Sequence, residues 1–179
     1  MDSVIDWARM TQTEIHFYQG LATEAEKAKY WALRLVGRPY VLGKENPEIG
    51  TDCSGVLSFA LWMLHYNVRT TAHRFAELIF TRDVQGGYQA ERLKAIFFAK
   101  AGRYRHVSLQ VGRGVVLDAW TETMPVMFKA VAPMIAYWVN DGYEIAWREI
   151  NWKRLKEVSD AGTEAWDVDP ILKLYRSVT

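Results

Sequence analysis

The chain holds a single cysteine among its 179 residues, and it stands in Thr51-Asp52-Cys53-Ser54-Gly55, directly ahead of the apolar run Val56-Leu57-Ser58-Phe59-Ala60-Leu61-Trp62-Met63-Leu64. A lone thiol at the mouth of a helix is where a nucleophile would be placed. Thr51 or Asp52 can cap such a helix, and the unpaired N–H groups and dipole at its start favour thiolate over thiol. The competing reading is a free cysteine that packs as a small hydrophobe. A catalytic cysteine also needs a base within hydrogen-bond reach, and that base needs an orienting group.

Four histidines are available as the base. His16 falls in the amino-terminal helical segment. His65 lies about three helical turns from Cys53, roughly 18 Å away at 1.5 Å per residue, too far to serve it. His73, among Arg69, Thr70, Thr71 and Arg74, is a weaker candidate. His106 opens a strand, from which an imidazole can project over a helix end packed on the sheet. The orienting group follows from hairpin geometry. If Gly112-Arg113-Gly114 is a three-residue loop with Gly114 left-handed, Val111 pairs with Val115 and Ser108 faces Asp118. His106 and Asp118 are then diagonal neighbours on one face, with Cβ atoms ~7 Å apart. A two-residue loop would reverse the parity and separate them.

The elements that must position these residues are read from periodicity. Residues 3–19 predict an amphipathic helix stopped by Gly20. Thr23 with Glu26 forms a capping-box signature for a second helix, Glu24 to Val36, ended by Gly37. Lys44 to Gly50 reads as irregular. The cysteine helix spans roughly 53–66, with Cys53, Val56, Leu57, Ala60, Leu61 and Leu64 on one face. Another helix runs from Ala72 to Phe80, and Gln85-Gly86-Gly87 marks a turn. From Leu93 the pattern turns to strands: Ala95–Ala99, His106–Val111, Val115–Trp120, Phe128–Ala132 and Tyr143–Arg148. The tail, 151–179, is helical in part, with Asp169-Pro170 opening a last short helix. Helices first and strands afterwards predict an α+β fold, helices on a central antiparallel sheet, in a single domain. Residues 1–23 are an amino-terminal helical extension, 24–150 the core, and 151–179 a carboxy-terminal tail.

Composition narrows the function. Half the residues are apolar and about a quarter charged, with a net charge of +1. That balance argues against a nucleic-acid binder driven by phosphate neutralisation. One cysteine permits no internal disulfide. Two acids stand in Met1-Asp2-Ser3-Val4-Ile5-Asp6-Trp7, where a signal peptide would carry bases, and no apolar run approaches the ~20 residues of a membrane span. Synthesis in the cytoplasm without a signal peptide is therefore expected. No His, Cys or acid grouping has metal-ligand spacing, and no cofactor is expected.

Taken in order, Gly37-Arg38-Pro39-Tyr40, Thr51-Asp52-Cys53-Ser54-Gly55, Arg69-Thr70-Thr71, Phe97-Phe98, His106-Val107 and Leu117-Asp118-Ala119 resemble the NlpC-type cell-wall peptidases, which are papain-like cysteine peptidases. The resemblance covers roughly residues 24–150. It implies hydrolysis of peptidoglycan stem peptides, typically between γ-linked D-glutamate and a diamino acid. Cys53 would be the nucleophile, His106 the general base and then acid, and Asp118 the orienter. It further implies that Tyr40 lies at the active site and that Asp52 and Ser54 help bind the stem peptide. The partner is then a stem peptide or muropeptide, reached by a phage-borne or virion-associated enzyme or met as wall fragments in the cytosol. Departures are Lys94-Ala95 where the family has Gly-Asp, a lone Gly43 before Lys44, and Asp118 in place of the commoner histidine. Other readings on the same fold are an N-acetylmuramoyl-L-alanine amidase, a transacylase, or a non-catalytic phage structural or binding module.

Overall fold

The computed structural model describes residues 11–46 and 48–165. In chain order these form α1 (Gln12–Gln19), α2 (Glu24–Leu33), β1 (Glu45–Asn46), β2 (Gly50–Thr51), α3 (Cys53–Trp62), α4 (Ala72–Leu78) and β3 (Arg82–Asp83). There follow β4 (Lys94–Lys100), β5 (Arg103–Gly112), β6 (Val115–Asp118), β7 (Met127–Ala130), α5 (Val131–Asn140), β8 (Glu144–Glu149) and α6 (Trp152–Ala161). The expected α+β architecture is present. Six strands pair antiparallel in the order β3-β8-β4-β5-β6-β7.

The sheet is covered on both faces, and β4 records this in its sequence. Its side chains alternate: Ala95 and Phe97 join a large core with α2, α3, α4 and α6, whereas Ile96 and Phe98 join a smaller one with Met134 and Trp138 of α5. A strand buried on both sides has no polar face to show, which is why Ala95–Ala99 is an unbroken apolar run. The helix α3 is likewise buried all round, from Ser54 to Trp62, rather than along one stripe. It is the central post of the larger core, and Cys53 sits on its end.

Local rules explain most boundaries. The Thr23–Glu26 capping box is formed, and α2 tightens after Leu33 into i→i+3 bonds before Gly37, so the regular helix is three residues shorter than expected. A second capping box, Thr11 with Glu14, starts α1. The rest of the helix expected over 3–19 lies outside the described residues, as does the Asp169-Pro170 turn. Both extensions pack against the core: Tyr18 of α1 meets it, and Leu155 and Val158 of α6 are part of it.

Two expectations are corrected. Lys44 to Gly50 is not wholly irregular, because Glu45 pairs with Thr51 and Asn46 with Gly50 in a small antiparallel ribbon. The strand expected over 128–132 covers 127–130 and gives way to α5. That helix has no side-chain cap and carries Pro133 in its first turn, where the missing N–H is no loss. Without a cap signal or a charged face, its first two residues read as the end of the strand expected over 128–132.

Candidate active site

The end of α3 is built by four hydrogen bonds to one carboxylate. Asp52 is the N-cap, and its Oδ1 accepts from the Gly55 N–H at 2.6 Å and the Ser54 hydroxyl at 2.9 Å. Its Oδ2 accepts from the Gly43 N–H at 2.7 Å and from Arg69 Nη2 at 2.8 Å. Arg69 also donates from Nε to Glu45 at 2.6 Å and from Nη1 to the Ser54 hydroxyl at 2.9 Å. Burial works against its charge, but Asp52 and Glu45 outweigh that and hold the guanidinium pKa above its ordinary value. The result is a hydrogen-bonded frame, one guanidinium shared by two carboxylates, that fixes where Cys53 begins the helix. As the first helical residue, Cys53 has an N–H with no partner inside the helix.

Gly55 makes this approach possible. A Cβ at this position would collide with the Lys44 carbonyl and the Thr51 hydroxyl, so the ribbon lies directly on the first turn of α3. The same Lys44 carbonyl accepts from the Asp52 N–H at 2.9 Å.

The candidate base arrives from the sheet. The Cys53 sulfur acts electrostatically on His106, whose Nε2 lies 2.6 Å from Asp118 Oδ1, leaving Nδ1 outside that bond. Ser108 donates to the same Asp118 oxygen at 2.7 Å. The route to this geometry differs from the expected one. Gly112, not Val111, pairs with Val115, so the loop has two residues, and Gly114 supplies the left-handed position with φ +67°. The ladder then slips by one residue between Gln110 and Gly112, restoring Leu109 opposite Leu117. That bulge recovers the parity a two-residue loop would have reversed.

Both members of the pair are shielded. The His106 ring stacks on Trp138 of α5, centres 5.1 Å apart and planes at 20°, with Phe98 at 5.5 Å. Burial alone would lower the His106 pKa, but the Cys53 sulfur and the Asp118 carboxylate raise it to about 10. Burial alone would raise Asp118, but His106, the Ser108 hydroxyl and Lys129 bring it down to about 2. Both shifts favour the charged forms, imidazolium and carboxylate.

Cys53 opens onto a groove of about 650 Å³ lined by Tyr40, Asp52, Arg69, His73, Arg105 and neighbouring residues. Burial, with the Cys53 sulfur, Asp52 and Glu122 nearby, pushes the Tyr40 hydroxyl up to about 12, so it remains a donor. Asp52 and Ser54 line the same groove, with the hydrogen bonds described above already in place. His73 reaches the groove but pairs with Glu77 at 3.3 Å. Among the described residues, no group of three or more His, Cys, Asp or Glu side chains is placed to hold a metal ion. No helix among them is long and apolar enough to cross a membrane.

Three contributors were not legible as site residues in the sequence: Glu45, Lys129 and Trp138. Glu45 stood in a segment read as irregular, and Trp138 in a helix without end signals. Lys129 pairs opposite Val116, diagonal to Asp118, a relation visible only once β7 is in register.

No family model and no curated protein sequence matches the chain. Solved structures do. NlpC1 from Trichomonas vaginalis superposes with a TM-score of 0.56 at 19% identity, over 81% of this chain and 46% of its own. A Staphylococcus aureus protein described as similar to lipoprotein, NLP/P60 family, superposes at 0.56 and 17% identity, over 71% of this chain and 41% of its own. RipD from Mycobacterium tuberculosis, described as a non-catalytic NlpC/p60 domain protein adapted to peptidoglycan binding, superposes at 0.52 and 16% identity, over 72% of this chain and 98% of its own. The chain spans less than half the length of the first two. With helices on both faces of one antiparallel sheet and a cysteine at the mouth of its central helix, the chain has the NlpC/P60 fold.

Proposed function

We propose that the protein is a cysteine endopeptidase acting on peptidoglycan stem peptides, at the bond between γ-linked D-glutamate and a diamino acid. The observation that carries this reading is His106, held by the Asp118 carboxylate at 2.6 Å and acted on by the charge of the Cys53 sulfur, while Cys53 itself lines an open groove. The likeness of fold to NLP/P60 structures supports the wall peptide as substrate.

In this mechanism the Cys53 sulfur attacks the scissile carbonyl carbon. The carbonyl oxygen gains negative charge and is met by the Cys53 N–H and the Tyr40 hydroxyl. His106 gives its proton to the leaving amine as the C–N bond breaks, leaving a thioester on Cys53. A water then loses a proton to His106 and attacks the thioester, releasing the acid and restoring the sulfur and the imidazolium. Asp118 keeps the ring oriented throughout. Asp52 and Ser54 serve the substrate by shaping the groove floor with Arg69, and Tyr40 contacts the peptide directly.

A second reading, a domain that binds wall peptide without cleaving it, draws support from RipD. Incubating the protein with purified muropeptides and weighing the products separates the readings. Split stems, absent with Cys53→Ala, are expected. Release of the whole stem from its lactyl group would identify an amidase, and unchanged muropeptides that nonetheless bind would favour the non-catalytic reading.

A further inference from the structure

Asp118 has more partners than an orienting carboxylate needs. Its side chain has no exposed surface, and Oδ1 is already held by His106 and Ser108. Its Oδ2 faces Lys129 Nζ at 3.0 Å. The ammonium is itself buried, and its geometry toward the carboxylate is that of an ion pair rather than an aligned hydrogen bond. It lies over the Trp120 ring, 3.6 Å from the centre, where the ring face favours a cation. The hollow that Lys129 borders is lined by Trp120, Ala130, Pro133, Met134 and Tyr137, none of them acidic. Asp118 is therefore the anion that accompanies this buried cation.

We propose that Lys129 is a positioning residue of the catalytic array, acting on His106 through Asp118 by balancing the charge of the buried carboxylate. The proposal rests on the reading of Cys53, His106 and Asp118 as the reacting and orienting groups. Lys129 is not needed to hold Asp118 in place, because two donors already fix Oδ1. It adds charge. In the reactive state the array runs thiolate, imidazolium, carboxylate, ammonium, and the four sum to zero. Without Lys129 the imidazolium would sit between two anions, and among the described residues no other cation is paired with Asp118, in surroundings that screen charge poorly. His106 would then grip its proton harder and be a poorer acid toward the leaving amine.

Among the described residues, few charged groups surround His106. Cys53 faces it from α3 and Asp118 from β6, with Lys129 of β7 behind Asp118. Ser108 of β5 is neutral, and β4 and α5 present only Phe98 and Trp138. A change at Lys129 is accordingly read at His106 through one carboxylate.

The test is the His106 titration, followed by nuclear magnetic resonance in the full chain carrying Cys53→Ala, which removes the sulfur charge. Adding Lys129→Met is expected to raise the midpoint by about one unit. Lys129→Arg, which keeps the charge, should leave it within about 0.3 unit of the Cys53→Ala value. Lys129→Gln takes the place of Lys129→Met if the latter fails to fold. An unmoved or lowered midpoint in the neutral variant overturns the proposal. With Cys53 intact, Lys129→Met should lower kcat on a stem peptide about tenfold with KM unchanged. A shifted midpoint in a protein that cleaves no stem peptide would sink the peptidase reading and leave the charge coupling standing. Cleavage with an unshifted midpoint would sink the coupling alone.

Discussion

The indole of Trp138 lies against the imidazole of His106, ring centres 5.1 Å apart and planes within 20°. This contact ties α5, on the far face of the sheet from α3, to the site at the end of α3. Trp138 also meets Phe98, Trp120, Tyr137 and Tyr143, so the ring that backs the imidazole is itself clamped by aromatic neighbours. Trp138→Ala is expected to cost about 3–5 kcal/mol in urea unfolding. Trp138→Phe, which keeps a ring against His106, should cost less than half as much.

Cys53→Ala removes only a half-buried sulfur at a helix end. Stem-peptide cleavage should be lost, while stability in urea stays within about 1 kcal/mol of wild type. His106→Ala should abolish cleavage as well, but with a clear loss of stability, because it empties the space under Trp138 and strips Asp118 of a donor. A Cys53→Ala protein that still split stems at the wild-type rate would refute the mechanism.

Among the described residues, Arg69 is the cation that pairs with both Asp52 and Glu45. Arg69→Ala leaves two mostly buried carboxylates facing each other without it, at an expected cost of about 3–5 kcal/mol. Arg69→Lys should recover little of that loss, since one ammonium cannot reproduce the fork that spans Asp52, Ser54 and Glu45. Chemical unfolding of both variants measures the difference.

The His106–Asp118 pair makes stability depend on pH at both ends. Asp118 falls from 3.8 to about 2 on folding, so its contribution is complete above about pH 4 and fades as pH falls through about 2. His106 rises from 6.5 to about 10, so its contribution is complete below about pH 6.5 and fades as pH rises through about 10. The stability advantage of wild type over Asp118→Asn should therefore shrink as urea titrations move from about pH 5 down to about pH 2. An advantage that grew over that range would contradict the assignment.

Gly55→Ala places a methyl group against the Lys44 carbonyl and the Thr51 hydroxyl. Because the obstruction is backbone, relief requires moving the β1–β2 ribbon off α3. Destabilisation of about 2–4 kcal/mol is expected, together with weaker cleavage because Tyr40 and Gly43 move with the ribbon.

What the sequence determined by itself was whatever depends on short-range rules. The Asp52 cap before an apolar helix, the Thr23–Glu26 box, the unbroken apolar run of β4 and the alternation of β5 each follow from neighbours within a few residues. So did the shared face of His106 and Asp118, although a bulge rather than a three-residue loop produced it. Only the tertiary structure decided which groups surround that pair. Trp138 belongs to a helix whose uncapped, uncharged start gave no local signal, and Lys129 reaches Asp118 across a strand pairing set by packing. Glu45 gains its role from Arg69, 24 residues away. Contacts of this kind are selected by burial and charge balance over the whole chain, and no window of sequence contains both partners and the medium between them.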